Sequence, residues 1–302
     1  MFPFIMRLNR RSYGRSLCLI IAVVGLCMNF LPANTIDPFP YVKSGDDRFG
    51  RVLHTWYRPE LNGRFTDMNS LLAYARQQKC RDTLCHLEAA AWVLRHRFVH
   101  AYGVYNVREN WIAVLCGRFI WKDLAAKVLP DDILSGESAS CSQVSIIFIA
   151  LCRSMGVPAR KVALRGHFAM EAKLHGQWFF FDIDMKPDFS TIGGRRSLAS
   201  ILAAGAQYRL YAHTASRRDV DRIFSSVIYG ADGEWLAPRA AVFQTITRLL
   251  SHWGWLLPAL GWALLSARVW TLKRRYERMW LKGKHVRAYT ATCNDERMRR
   301  AG

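Results

Sequence analysis

The sequence predicts an α+β domain in which a buried helix carrying a cysteine packs on an antiparallel sheet, flanked by two transmembrane helices. Three observations carry that reading. Val144, Ile147, Phe148, Leu151, Cys152 and Met155 recur at the spacing of one helix face. Three strand-like runs follow, Lys161–Arg165, His167–Leu174 and Gln177–Ile183, the last two joined at His175-Gly176. Near the two ends lie uncharged runs, from Ser16 to Ile36 and from Leu249 to Ala267, each bordered by arginine.

The 302 residues allow one or two domains. With 51% hydrophobic and 13% aromatic residues, the chain is not a wholly disordered one. Its formal charge of +20 is unevenly placed. Residues 1–16 form a basic flank with Arg7, Arg10, Arg11 and Arg15 and no acid, and residues 268–302 form a basic tail. Residues 17–36 read as a signal-anchor helix and 249–267 as a second span with interfacial Trp residues. Cations flank the cytoplasmic ends of spans, so both termini are expected inside and residues 37–247 on the extracytoplasmic side of the inner membrane. Charge concentrated beside spans points to membrane lipids as partners and away from nucleic acid.

Within the expected outer region, residues 37–66 look irregular, with Pro38, Pro40, Pro59, Gly45, Gly50 and Gly63. Asn69 to Val99 has a helical pattern broken near Cys80, and Leu124 to Ile133 reads as a short helix. Ser138 or Ser140 caps the apolar helix, and Gly156 with Pro158 ends it. Ser216 to Ile228 reads as a later helix. Cys80 and Cys85 are near enough to bridge, although one continuous helix would point them apart. His96 and His100, at i,i+4 among arginines, read as a solvated face. There is no CxxC pair, nucleotide loop or repeat, so no cofactor and no metal is expected.

A tight turn at His175-Gly176 pairs residues such as Leu174 with Gln177. His167 then shares a sheet face with Asp182 and Asp184, and geometry alone leaves both carboxylates open as its partner. Cys141 stands at the first turn of the apolar helix, where the dipole and free N–H groups favour a thiolate. His167 suits the proton-transfer role, a carboxylate suits orientation of the ring, and the Cys141 N–H offers an oxyanion donor.

Ser140-Cys-Ser-Gln-Val, Leu151-Cys-Arg-Ser-Met-Gly-Val-Pro-Ala-Arg160, His167-Phe-Ala-Met-Glu171 and Gly176-Gln-Trp-Phe-Phe-Phe-Asp182 together resemble the transglutaminase-like, papain-like core over about residues 84–188. The resemblance implies Cys141 as nucleophile, His167 as base and acid, and Asp182 rather than Asp184 as the orienting carboxylate. Ala169 stands where the family has an aromatic residue, Ser140 and Ser142 where it favours glycine, and Ile183 where it favours proline. The implied chemistry is thiol attack on an amide of a cell-envelope peptide or protein, resolved by water or by an amine. A catalytically degenerate binding or scaffold module is the competing function, and only the enzyme needs a reactive Cys141.

Overall fold

The computed structural model describes residues 2–33, 35, 56–234 and 236–300. They divide into two units, Met1–Leu31 with Leu249–Gly302, and Pro32–Arg248. Most of the irregular segment expected over 37–66 lies outside the described residues.

After α1 (Phe2–Met28), the second unit opens on two capped helices. The Asp67 carboxylate accepts the Ser70 N–H at 2.7 Å to start α2 (Met68–Gln77). Asp82 accepts the Cys85 N–H at 2.9 Å to start α3 (Thr83–Arg97). The helical pattern expected from Asn69 is thus two helices. Their break lets Cys80 and Cys85 form a disulfide, which an unbroken helix would have prevented. Closing so short a loop, with a sequence separation of 5, stabilises by about 2 kcal/mol. Urea unfolding of the full chain with and without mild reductant should show that loss, and identical midpoints would refute it.

Strand β1 (Val99–His100) pairs in parallel with β2 (Ser138–Ala139). His100 therefore lies on a strand, not on the helical face expected for it, and His96 is buried. Between the strands run α4 (Val107–Phe119), a 3₁₀ turn Lys122–Ala125 and α5 (Pro130–Leu134). The single helix expected from Leu124 to Ile133 is split because Pro130 has no N–H to continue a helix, and it opens α5 instead.

The cysteine-bearing helix is α6 (Cys141–Ser154), with Ser140 as its N-cap. Gly156, at φ 72, turns the chain out of it. Ile147, Phe148, Leu151 and Cys152 are fully buried, each large side chain contributing about 1.5–3 kcal/mol. Phe148 meets Phe181 at 4.6 Å between ring centroids, which ties the helix to the sheet.

That sheet is antiparallel in the order β5-β4-β3-β6, from β3 (Ala159–Leu164), β4 (His167–Leu174), β5 (Gln177–Phe181) and β6 (Val227–Tyr229). His175 (φ 49) and Gly176 (φ 79) both adopt the left-handed conformation of a two-residue hairpin turn. Leu174 consequently pairs with Gln177 and Met170 with Phe181, in the expected register. Side chains alternate, so Met170, Ala172 and Phe181 face the α6 core. Val162, Ala169 and Phe180 enter a second core with Tyr211. Arg160 and Glu171 are register partners, and the buried Glu171 accepts from Arg160 Nη2 at 2.7 Å and from the Leu198 N–H at 2.7 Å. The second core is closed by α7 (Leu198–Ala203), α8 (Gln207–Leu210) and α9 (Arg217–Phe224). The helix expected from Ser216 ends at Phe224, and Val227 to Tyr229 becomes the edge strand β6.

The first half of α10 (Pro238–Trp253) joins the second unit through polar groups. Gln244 donates to the Ala126 carbonyl at 2.5 Å, and Asn110 donates to Thr247 Oγ1 at 2.9 Å. Its opposite face exposes Val242, Ile246, Leu249 and Trp253. The run 249–267, expected to be one span, is broken between α10 and α11 (Leu256–Arg300). Gly254 tolerates the break, and Pro258 belongs to the first turn of the new helix, where its missing N–H costs nothing. Among the described residues no single helix is long and apolar enough to cross a membrane. Pro238–Trp253 and Leu256–Trp280 meet that test together, bent by 47°. Within the first unit α1 packs on α11, and a β-carbon added at Gly25 would lie 3.2 Å from Trp255 Cβ.

Candidate functional site

Cys141, His167 and Asp182 come from three elements. Cys141 opens α6, His167 opens β4, and Asp182 follows the last residue of β5. The turn before α6 is fixed from behind by the buried Gln143. Its Oε1 accepts the Ser140 N–H at 3.0 Å and the Gly103 N–H at 2.8 Å. Its Nε2 donates to the carbonyls of Gly103 at 2.7 Å and Lys127 at 2.8 Å. Gly103 is the residue that fits there, because a β-carbon would approach the Ser138 carbonyl oxygen to 2.6 Å.

His167 is buried, with Nε2 donating to Asp182 Oδ2 at 3.0 Å. The Cys141 sulfur lies within 4.8 Å of a ring nitrogen of His167. Burial opposes the imidazolium, but the charge and hydrogen bond of Asp182, reinforced by Cys141, hold the His167 pKa well above the ordinary imidazole range. Burial would likewise raise the Asp182 carboxyl. The His167 charge, the Met185 N–H and the Tyr211 hydroxyl outweigh it and lower the carboxyl below the usual value. The Met185 N–H reaches Oδ1 at 3.0 Å, and the Tyr211 hydroxyl reaches Oδ2 at 2.7 Å. Tyr211 is itself fully buried, and burial together with Asp182 keeps its phenol protonated as a donor.

Asp184, the carboxylate that strand alternation left open, serves a different histidine. Its Oδ1 lies 2.7 Å from His100 Nδ1. It stays close to the cysteine, because ligand-type atoms of Cys141, His167 and Asp184 all lie within 4.8 Å of one another. A small pocket beside them is walled by Trp56, Leu94, Phe98, Val144 and Ile183. Sequence reading missed His100, Tyr211, Gln143 and this role of Asp184. Only Gln143 had a local signal, three residues after the cap Ser140.

Residues 117–183 match the family described as the transglutaminase-like superfamily, so this chain carries a transglutaminase-like domain. Neither a curated protein nor a solved structure matches the chain.

Proposed function

We propose that this chain is a membrane-anchored, transglutaminase-like thiol enzyme acting on amide bonds of cell-envelope peptides or proteins. The observation that carries the reading is His167, held between Cys141 and Asp182 with one ring nitrogen committed to the carboxylate. With Nε2 so engaged, Nδ1 is the nitrogen left to exchange a proton with the thiol. Cys141 attacks the carbonyl carbon, and the Cys141 N–H at the helix start stabilises the oxyanion. His167 delivers its proton to the departing amine, leaving a thioester. Water or an amine then attacks, His167 takes the incoming proton, and acid or new amide is released with the thiol restored.

The membrane assignment is supported by exposed apolar side chains on α1 (Leu17, Ile20, Val24) and α11 (Leu257, Leu260, Leu264), and by the bent helix pair. The Cys80–Cys85 disulfide suits an oxidising compartment, so the thiol domain belongs on the extracytoplasmic side and the basic termini inside.

The test is iodoacetamide labelling of the full chain in detergent micelles at pH 6.5, with the modified cysteine read by peptide mass. Cys152 serves as an internal control, since burial pushes its thiol pKa up. Wild-type Cys141 should label at least about 10-fold faster than in His167→Ala. Equal rates would hand the domain to the binding-module reading.

A further inference from the structure

We propose that Cys141, His167 and Asp184 form a binding site for a zinc-class divalent cation, and that zinc there switches the thiol site off. The site stands on geometry, whereas its inhibitory consequence rests on the thiol-enzyme reading. The donor set is a thiol, an imidazole and a carboxylate, the mixture that zinc accepts and that magnesium or calcium does not. Their ligand-type atoms lie within 4.8 Å of one another. Bond lengths of about 2.0–2.3 Å place tetrahedral donors about 3.3–3.8 Å apart, so side-chain movements of about 1 Å close the site.

What distinguishes this cluster from a chance meeting of a cysteine and a histidine is its outer partners. Histidine ligands of zinc give their second ring nitrogen to a carboxylate, which fixes the ring. His167 already does this, with Nε2 on Asp182 at 3.0 Å, so Nδ1 is left for the metal. Ligating carboxylates are hydrogen-bonded in turn. Asp184 already is, its Oδ1 held by His100 at 2.7 Å while Oδ2 remains available. Neither outer bond would have to break. Three protein donors leave a fourth coordination position for water. Cys141 and Asp184 are both partly exposed, so the cation can arrive from solvent.

Binding displaces to solvent the protons held by the Cys141 sulfur and His167 Nδ1, and forms Zn–S, Zn–N and Zn–O bonds. The same cation then occupies both the nucleophile and the lone pair that would accept its proton. A strong chelator reverses the step, because no covalent bond within the protein has changed.

The experiment titrates Zn²⁺ against the purified full chain in detergent micelles, in competition with a chromophoric zinc chelator. Cys141→Ser sets the background from other residues, and circular dichroism checks that each variant is folded. Wild type should hold one Zn²⁺ more than Cys141→Ser. Asp184→Asn, nearly the same shape, should bind at least about 10-fold more weakly, and His100→Gln should weaken binding about 10–100-fold through the lost outer partner. Zn²⁺ should block iodoacetamide at Cys141 in wild type, and Mg²⁺ should not. Wild-type affinity in Asp184→Asn would overturn the site, as would the absence of a bound equivalent. Failure of the thiol-enzyme reading looks different: zinc would bind as described while labelling in zinc-free buffer was indifferent to His167.

Discussion

Asp182→Asn is expected to slow both the labelling of Cys141 and any amide turnover by about 10²–10⁴-fold while leaving the domain folded. The reasoning follows the hydrogen bonds around the carboxylate. Oδ1 holds the Met185 N–H at 3.0 Å, and an asparagine oxygen can keep that bond. The amide nitrogen then occupies the Oδ2 position, where the Tyr211 hydroxyl and His167 Nε2 both arrive as donors. Tyr211 can rotate its hydroxyl and accept. His167 can accept only by moving its proton to Nδ1, and that nitrogen then donates to the sulfur instead of taking its proton. The variant holds the ring in place in the wrong tautomer.

The same substitution has a signature in stability. His167 is raised well above its ordinary value: burial opposes its charge, and Asp182 and Cys141 outweigh the burial. A raised histidine gives stability that is fully present below the unfolded value of about 6.5 and is lost as pH rises through the folded value. Urea midpoints measured from pH 5 to 9 should therefore decline on the alkaline side in wild type and lose that decline in Asp182→Asn. Labelling within twofold of wild type, with an unchanged pH dependence, would rule out an orienting role for this carboxylate.

How much of this was readable from the chain depended on the range of each interaction. The helix of Cys141 was readable because its apolar spacing and its cap are local, and the hairpin because His175-Gly176 admits one turn geometry. That hairpin placed His167 beside two carboxylates, but strand alternation could not divide them. The strand ends at Phe181, and beyond it Asp182 turns to His167 while Asp184 turns to His100, 84 residues earlier. Periodicity cannot see such a pairing, and the arginines beside His96 and His100 suggested solvent instead. Tyr211 reaches Asp182 from 29 residues downstream, on a segment with little pattern of its own. The apolar run after Arg248 misled in the opposite direction. Composition promised one helix, and Gly254 with Pro258 made two. Hydropathy averages over a window and does not register a local change of backbone direction.

Arg97→Met is expected to cost about 3–5 kcal/mol, a large loss for a residue outside the site. Arg97 is only 1% exposed at the end of α3, and the three hydrogen bonds its guanidinium donates all go to backbone carbonyls. Burial pushes the guanidinium pKa down to about 10, which still leaves it charged at neutral pH. Three carbonyls take the place of water: Phe65 at 2.7 Å, Gly136 at 2.8 Å, and Leu134. Methionine would fill much of the volume and leave all three acceptors without a donor, at about 1–3 kcal/mol for each one that stays dry. Leu134 ends α5 and Gly136 follows it in the segment to β2, which leads directly into Ser140 and Cys141. The damage should therefore reach the site. Cys141 labelling should slow as the turn loosens, even at temperatures where the variant is folded. For a unit of this size the loss corresponds to a fall in Tm of about 10 °C. Arg97→Lys, which keeps the charge but can satisfy fewer carbonyls, should fall between wild type and methionine. If methionine lowered stability by less than 1 kcal/mol, the carbonyls would have found water, and the guanidinium would not be what holds the two segments together.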